Sequence, residues 1–412
     1  MTGQALGDRL GGRGGPIAVL AAIVVVYLIM VYGTYQTFTS QIPSGNDFYP
    51  RWRGTRAVLL EGKDPYSEEV TLEIQKGIYG RPAREDEDQV AFAYPLYVSL
   101  FVLPFALLSY PLAQAFWLSA LILAALAALI IILRTLDWHP SPAGLAGLAL
   151  WTVLFYPTAR SIMLGQISII VLALVALALW TLKLGHKTLA GSLLALSTIK
   201  PQMVFLVVPF LLLMTVRRRD HRTLAGFLCA MGILLVVSWM VLPGWMPSFV
   251  AGLSSYHSYT EIYRAGTSPI GYLVAGLVPP YLSGPMTAAV SLGLGISLAF
   301  AWFGAFTDRL DPSAVISYTV VATLLLPGET GTTNQVLLLL PIIAWLSGRS
   351  RQRWLVSLVA SVLFIGPWAL FLLTVQGDLE HPMMVFLLPI ATLVMVFLRA
   401  SNDMAGDLLL VK

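Results

Sequence analysis

Charged residues are scarce in this chain of 412 residues. Only 11% of them are Asp, Glu, Lys or Arg, whereas 57% are hydrophobic. Soluble globular proteins carry about 25% charged residues, so the composition excludes an ordinary water-soluble enzyme. The 25 basic and 21 acidic residues leave a net charge of +4. That excess is too small and too dispersed for a nucleic-acid-binding surface, and no nucleic-acid partner is expected.

Cysteine and metal-ligand patterns are also scarce. The single Cys229 lies in an apolar run, residues 224–242, so the chain can form no intramolecular disulfide and the sequence suggests no thiol chemistry. No His, Cys or carboxylate set has metal-ligand spacing, and no glycine-rich nucleotide-binding loop is present. We therefore predict neither a metal nor another cofactor.

Apolar runs of about 20 residues, the length that crosses a bilayer, recur along the whole chain. The sequence predicts one membrane-embedded domain, residues 1–412, built as an all-α integral membrane bundle of about twelve spans. Pro157 interrupts segment 142–159, which we predict to be re-entrant because irregular backbone is tolerated where it lines a protein cavity. The predicted spans lie near residues 16–38, 91–109, 112–133, 164–182, 188–200, 202–216, 223–243, 284–306, 313–327, 334–347, 354–375 and 382–399.

The basic residues predict the orientation, because short loops rich in Lys and Arg remain in the cytoplasm. With the N-terminus inside, four cations are left in or beside short outer segments: Arg134, Arg160, Lys200 and Arg264. If segment 142–159 crosses the membrane fully, every later loop moves to the opposite side of the membrane. The cations that this arrangement places inside are Arg9, Arg13, Lys183, Lys187, Arg217, Arg218, Arg219, Arg222, Arg309, Arg349, Arg351, Arg353, Arg399 and Lys412.

Residues 39–90 form a long polar segment, predicted to be the first extracytoplasmic loop. Its Trp52 and the apolar run 57–60 alternate with arginines. This pattern predicts a helix at the membrane interface, with guanidinium groups at the level of the lipid headgroups. Asp47 is predicted to lie just outside the first span, at the outer boundary of the bilayer.

The order of several short motifs resembles that of glycosyltransferase family 87, over roughly residues 16–300. The resemblance implies the C-type glycosyltransferase fold and a family that includes bacterial alpha-mannosyltransferases, which use polyprenyl-phosphate-mannose. Where some members carry longer polar loops near the C-terminus, this chain has only the run 328–334. The matching motifs are Asp47 with Tyr49, Gly62-Lys63-Asp64-Pro65-Tyr66, Tyr94-Pro95, Gly165-Gln166 and Lys200-Pro201-Gln202.

The resemblance implies that Asp47 is the catalytic base. Inverting transfer from a lipid-phosphate sugar needs a carboxylate that takes the proton of the acceptor hydroxyl, and cations or hydrogen-bond donors that hold the departing phosphate. Asp64 is the alternative base, although an Asp before a proline is more typical of a turn. Contacts with the acceptor or sugar are predicted for Tyr49, Arg51, Asp64, Gln202 and His257.

Lys200 is the first candidate for binding the donor phosphate. An ammonium group inside an apolar stretch is costly in lipid, so Lys200 either faces a polar site or snorkels to the headgroups. Arg160 and Gln166 could line the same pocket, and Arg264 is a further candidate. Alternatively, Arg160 and Gln166 belong to a re-entrant turn whose polar groups only satisfy the exposed backbone. The aromatic residues of 244–268 could likewise form an ordinary interfacial belt, with a structural His257.

Two other classes of membrane protein are alternatives to this glycosyltransferase. A secondary transporter is disfavoured because no internal repeat is visible and the charges gather at span ends. A lipid-linked polysaccharide polymerase or ligase typically has its large outer loop late in the chain, whereas this loop follows the first helix. We therefore predict a hexosyltransferase of the bacterial cytoplasmic membrane. Its expected partners are a polyprenyl-phosphate-sugar, membrane lipid and an acceptor that is a glycolipid, glycan or protein.

Overall fold

The structure is a computed structural model and describes residues 14–42, 47–85, 87–253, 268–326, 330–348, 353–375 and 380–409. These residues form helices and no strand. Residues 245–253 are also helical, and short 3₁₀ segments cover Leu96–Val98, Pro201–Met203 and Thr332–Leu338. The helices are α1 Gly14–Thr34, α2 Phe48–Leu60, α3 Glu68–Tyr79, α4 Ser99–Ala106, α5 Tyr110–Thr135, α6 Pro142–Leu154, α7 Tyr156–Met163, α8 Ser168–Lys183, α9 Lys187–Ser197, α10 Val207–Arg217, α11 His221–Val241, α12 Pro269–Ala275, α13 Pro280–Phe306, α14 Pro312–Leu325, α15 Leu339–Leu346, α16 Arg353–Thr374 and α17 Met383–Leu409.

Among the described residues, four helical stretches are long and apolar enough to cross a bilayer: Ile17–Thr39, α5, α11 and α13. The bent pair α6 and α7 would be a fifth. Together with the all-helical architecture, these stretches show a membrane protein. The predicted count of about twelve spans is not reproduced, because several expected spans are short helices. The expected spans 188–200 and 202–216, for example, are helices of 11 residues each, whereas a straight crossing takes about 20.

The expected span 91–109 does not run through the bundle. Its helix α4 is only 8 residues long and lies along α2. At its start, the Thr55 hydroxyl donates to Ser99 Oγ at 3.2 Å. At its end, Arg56 Nη1 donates to the carbonyl oxygen of Ala106 at 2.6 Å. Because both ends of α4 contact the same short helix, this segment stays at one end of the molecule.

Segment 142–163 also differs from its prediction. It starts beside the end of α5, where Lys183 Nζ donates to the carbonyl oxygens of Arg134 and Thr135. It leads to Gly165, whose carbonyl oxygen accepts from Arg51 of α2. The pair α6 and α7 therefore connects the two ends of the bundle instead of returning to its starting end. It bends by 55° just before Pro157, whose ring lacks the amide hydrogen that a continuous helix needs.

The loops rich in Lys and Arg gather at one end of the molecule, here named the basic end. Lys183 pairs with Asp137 at 2.6 Å, and Lys187 pairs with Asp220 at 3.3 Å. Since Lys183 contacts its carbonyl oxygen, Arg134 also lies at the basic end and not in the outer segment predicted for it. The chain makes one crossing fewer than predicted at α4 and one more at α6 with α7. The number of crossings before each later basic loop is therefore unchanged, and the basic loops lie at the same end.

Helices α2 and α3 cover the opposite end, here named the site end. Helix α3 begins where Ser67 Oγ accepts from the amide of Val70, and it ends at Gly80, whose φ of 71° suits glycine. The arginines of α2 were expected at headgroup level. Instead Arg51 is fully buried, and Arg53 pairs with Glu61 and Glu73. Protein carboxylates and carbonyls therefore bind these guanidinium groups.

The ion pairs between α2 and α3 predict an acid-sensitive contact. The Lys63 ammonium donates to Glu73 at 2.9 Å, and this bond, together with Arg53, holds the pKa of Glu73 below its usual range. The stabilisation is fully present above the unfolded pKa of about 4.3 and is lost as the pH falls through the lower folded pKa. We expect Glu73→Gln to weaken α3 by about 0.5–1 kcal/mol at neutral pH, since the group is partly exposed.

Hydrogen exchange of the α3 amides measures this effect. The difference between Glu73→Gln and the parent protein should shrink as the pH falls below the unfolded pKa of about 4.3 and through the lowered pKa of the folded Glu73 carboxylate. Equal exchange of both proteins at neutral pH would contradict a stabilising role for these pairs. Glu68→Gln on the exposed start of α3 is the matched control.

Candidate active site

The N-terminal end of α2 places Asp47 beside the loop that follows α7. Phe48 is fully buried and stacks on Trp117 of α5, with ring centroids 4.9 Å apart. Gly165 has a φ of +66°, and a Cβ on it would come within 2.7 Å of Phe48 Cβ. Only glycine suits that backbone conformation and that close approach. The Gly165 turn therefore fixes how near the start of α2 comes to Gln166.

The side-chain amide of Gln166 joins the charged groups of the site. Its Oε1 accepts from Arg51 Nη2 at 2.9 Å and from Lys200 Nζ at 2.9 Å. Its Nε2 donates to the carboxylate of Asp47. Because two cations require the oxygen as their acceptor, the amide nitrogen must face Asp47. One carboxylate and two cations thus converge on a single amide, here named the Gln166 cluster (Asp47, Arg51, Gln166 and Lys200).

Arg51 is the most buried of the charged groups, with an exposed fraction of 0%. Nη1 donates to the Gly165 carbonyl oxygen at 3.0 Å, and Nη2 also donates to the Tyr94 hydroxyl at 2.6 Å. The guanidinium carbon lies 4.4 Å from the centroid of the Tyr94 ring. A buried charge of this kind needs such a shell of acceptors. Arg51 therefore holds the 165–166 turn in place.

Lys200 points into the protein and not toward the headgroups. It stands between α9 and the 3₁₀ turn that starts at Pro201, and its exposed fraction is 4%. Besides its bond to Gln166, its ammonium group donates to Ser168 Oγ at 2.8 Å. The buried position and these polar partners disagree with snorkelling. They agree with the alternative that Lys200 faces a polar site.

The other predicted residues that the structure describes lie apart from the Gln166 cluster. Arg160 pairs with Glu380 at 3.0 Å. Asp64 accepts from the Tyr66 amide at 2.9 Å and from the Ser248 hydroxyl at 3.1 Å, which is the geometry of a turn-forming Asp. Tyr49 packs edge-on against Tyr110. Gln202 is exposed, and the candidates His257 and Arg264 lie outside the described residues.

Three polar groups near the Gln166 cluster had no role in the sequence prediction. Ser168 is fully buried and donates to Asn334 Oδ1 at 3.4 Å. Asn334 is itself 4% exposed and belongs to the short run 328–334, which the sequence analysis does not assign to the site. Tyr94 enters the sequence analysis only as part of a motif. Ser168 and Tyr94 each stand in an apolar stretch, where a polar side chain usually marks a functional or structural polar contact, whereas Asn334 lies in a polar run.

The arrangement combines a proton acceptor with cations in a poorly hydrated environment. The Asp47 carboxylate can accept a proton, and the Lys200 ammonium can stabilise negative charge on an oxygen that leaves. Burial strengthens such electrostatic interactions relative to water. Within the part of the chain that the structure describes, no three His, Cys, Asp or Glu side chains converge as metal ligands.

The comparisons with known proteins identify the family. No curated protein and no solved structure was found that matches the chain. The model of Glycosyltransferase family 87 matches residues 92–328, which is more than half of the chain. The matched segment contains Gln166 and Lys200, whereas Asp47 and Arg51 precede it. The resemblance inferred from the motifs is thus confirmed, and the chain belongs to glycosyltransferase family 87.

Proposed function

We propose that the protein transfers a hexose, in the first instance mannose, from a polyprenyl-phosphate carrier to an acceptor hydroxyl. The proposed fold is that of the C-type glycosyltransferases. The observation that carries the proposal is the convergence of the Asp47 carboxylate, Arg51 and Lys200 on Gln166. Membership of a glycosyltransferase family supports sugar transfer. A site with one candidate base and buried cations supports the same reaction.

The proposed reaction assigns a role to each group. Asp47 takes the proton from the acceptor hydroxyl while the oxygen of that hydroxyl forms a bond to the anomeric carbon of the sugar. The bond between that carbon and the phosphate oxygen breaks, and the lipid phosphate leaves with the bonding electrons. Lys200 stabilises the charge on that phosphate. Gln166 orients Asp47, and Arg51, enclosed by protein, supports Gln166.

The proposed location follows from the two ends of the molecule. The basic end carries Arg134, Lys183, Lys187 and Arg217, and basic loops remain in the cytoplasm. The Gln166 cluster lies at the site end. We therefore place the reaction at the extracytoplasmic face of a bacterial cytoplasmic membrane, where a lipid-phosphate sugar that has crossed the bilayer can reach it. Membrane lipid surrounds the exposed apolar helices.

A donor comparison in proteoliposomes tests this function. The purified protein would receive radiolabelled polyprenyl-phosphate-mannose, polyprenyl-phosphate-glucose or nucleotide-linked mannose, with a bacterial lipid and glycan extract as the acceptor. We expect label to move from both lipid-phosphate donors and not from the nucleotide sugar. Transfer should be faster from polyprenyl-phosphate-mannose than from polyprenyl-phosphate-glucose. Transfer from the nucleotide sugar alone, or from none of the donors, would contradict the proposal.

A further inference from the structure

A second group of polar side chains surrounds Glu380, which lies outside the segment matched by the family. One of its carboxylate oxygens accepts from the Tyr156 hydroxyl and lies 3.0 Å from Arg160 Nε. The other accepts from the Thr332 hydroxyl at 2.7 Å. Arg160 and Glu380 are only 16% and 18% exposed. One carboxylate thus holds α7 and the 3₁₀ segment Thr332–Leu338 together.

Both segments that Glu380 joins continue directly to the Gln166 cluster. Helix α7 is followed by the 165–166 turn, and the backbone N–H of Gln166 donates to the Ser161 carbonyl oxygen at 2.7 Å. The 3₁₀ segment carries Asn334, which accepts from Ser168, the partner of Lys200. A further bond joins the two segments, since Ser161 Oγ contacts the Thr333 carbonyl oxygen at 3.2 Å.

We infer that Glu380 is a positioning residue for transfer, acting through Arg160 and Thr332 to set the separation of Gln166 and Ser168 around Lys200. This inference rests on the proposed function. It assigns Arg160 to a clamp with Glu380 and not to direct binding of the donor phosphate. A clamp of this kind affects the turnover of bound substrates more than their affinity, because a shift of about 1 Å in a reacting group can lower a rate by about 100-fold.

Three variants test the clamp by steady-state kinetics. We expect Glu380→Gln to lower kcat about tenfold while KM for the lipid donor changes less than about twofold, which is the pattern for an interaction made mainly in the transition state. The exchanged pair Arg160→Glu with Glu380→Arg should recover part of the rate. The control is Asp220→Asn, which removes an ion pair of similar length at the basic end, and it should leave both constants unchanged.

Hydrogen exchange gives a second readout that does not depend on transfer. In Glu380→Gln we expect faster exchange in peptides covering 161–168 and 332–338, whereas Asp220→Asn should leave those peptides unchanged. Unchanged exchange in the Glu380 variant would overturn the clamp whatever the activity. A raised donor KM with normal kcat, or no recovery in the exchanged pair, would instead assign Arg160 to the donor and overturn the inference. Absence of transfer by the parent protein would count against the proposed function alone.

Discussion

Asp47→Asn is expected to abolish most of the sugar transfer, lowering kcat by about 10²–10⁴-fold. The amide has nearly the same shape as the carboxylate and can still accept from Gln166 Nε2, so the site should keep its geometry. It cannot take the proton of an acceptor hydroxyl. Donor affinity should change little because the donor phosphate is assigned to Lys200. Initial rates of label transfer in proteoliposomes measure kcat and KM for the donor.

Asp64→Asn is the matched control for this prediction. Asp64 is the other candidate base on the same loop, but it is bound to the Tyr66 amide and the Ser248 hydroxyl. We expect its substitution to change kcat by less than about threefold, since Asn forms the same turn. If the Asp47 variant transfers as fast as the parent protein, or if only the Asp64 variant is inactive, the assignment of the base is wrong.

Lys200→Met is expected to lower kcat/KM for the lipid-phosphate donor by about 10²–10³-fold, the range found when one electrostatic stabiliser of a leaving or developing charge is removed. Its ammonium group is enclosed by Gln166 and Ser168, and its exposed fraction is 4%. A phosphate bound there would meet a positive charge in a weakly screened environment. The substitution should lower kcat/KM for the donor and leave KM for the acceptor nearly unchanged.

Thermal stability separates a functional loss from unfolding in this variant. Removing one partner of a buried polar network is destabilising, because the groups that it bound lose a contact that water does not replace, so Lys200→Met should melt below the parent protein but remain folded at the assay temperature. Lys183→Met at the basic end is the control and should retain transfer. Full transfer by Lys200→Met, or a loss explained by unfolding, would remove Lys200 from the proposed donor site.

Residues that the structure brings together around Gln166 could be singled out from the sequence, Lys200 by its apolar surroundings and Asp47 through the family resemblance, although their roles remain proposals. Asp47 begins a polar loop after an apolar helix, and Lys200 interrupts an apolar stretch. Gln166 follows a glycine that the fold needs at a positive φ. What the sequence could not show is that these residues meet. Their convergence depends on how α2, α7 and α9 pack, which short-range patterns do not encode.

The path of the chain was harder to predict than its residues. Apolar composition does not distinguish α4, which lies along α2, from a helix that runs through the bundle, because both are hydrophobic. Likewise Pro157 marks a break but not whether the chain continues or turns back. The arginines of α2 were placed at the lipid headgroups because amphipathic character looks the same at a membrane and at a protein surface. Tertiary contacts, such as those of Arg56 and Lys183, decide between these cases.

The burial of Arg51 also constrains the order in which the protein can be assembled. Its partners Gly165 and Gln166 lie 114 and 115 residues later in the chain. At a synthesis rate of about 5–20 residues per second, roughly 6 to 23 seconds separate the appearance of the guanidinium from that of its acceptors. During this interval α2 has no completed site to enter. The contacts of Arg51 can therefore form only late in assembly, and the Gln166 cluster is complete only after Lys200, which follows α9, has been made.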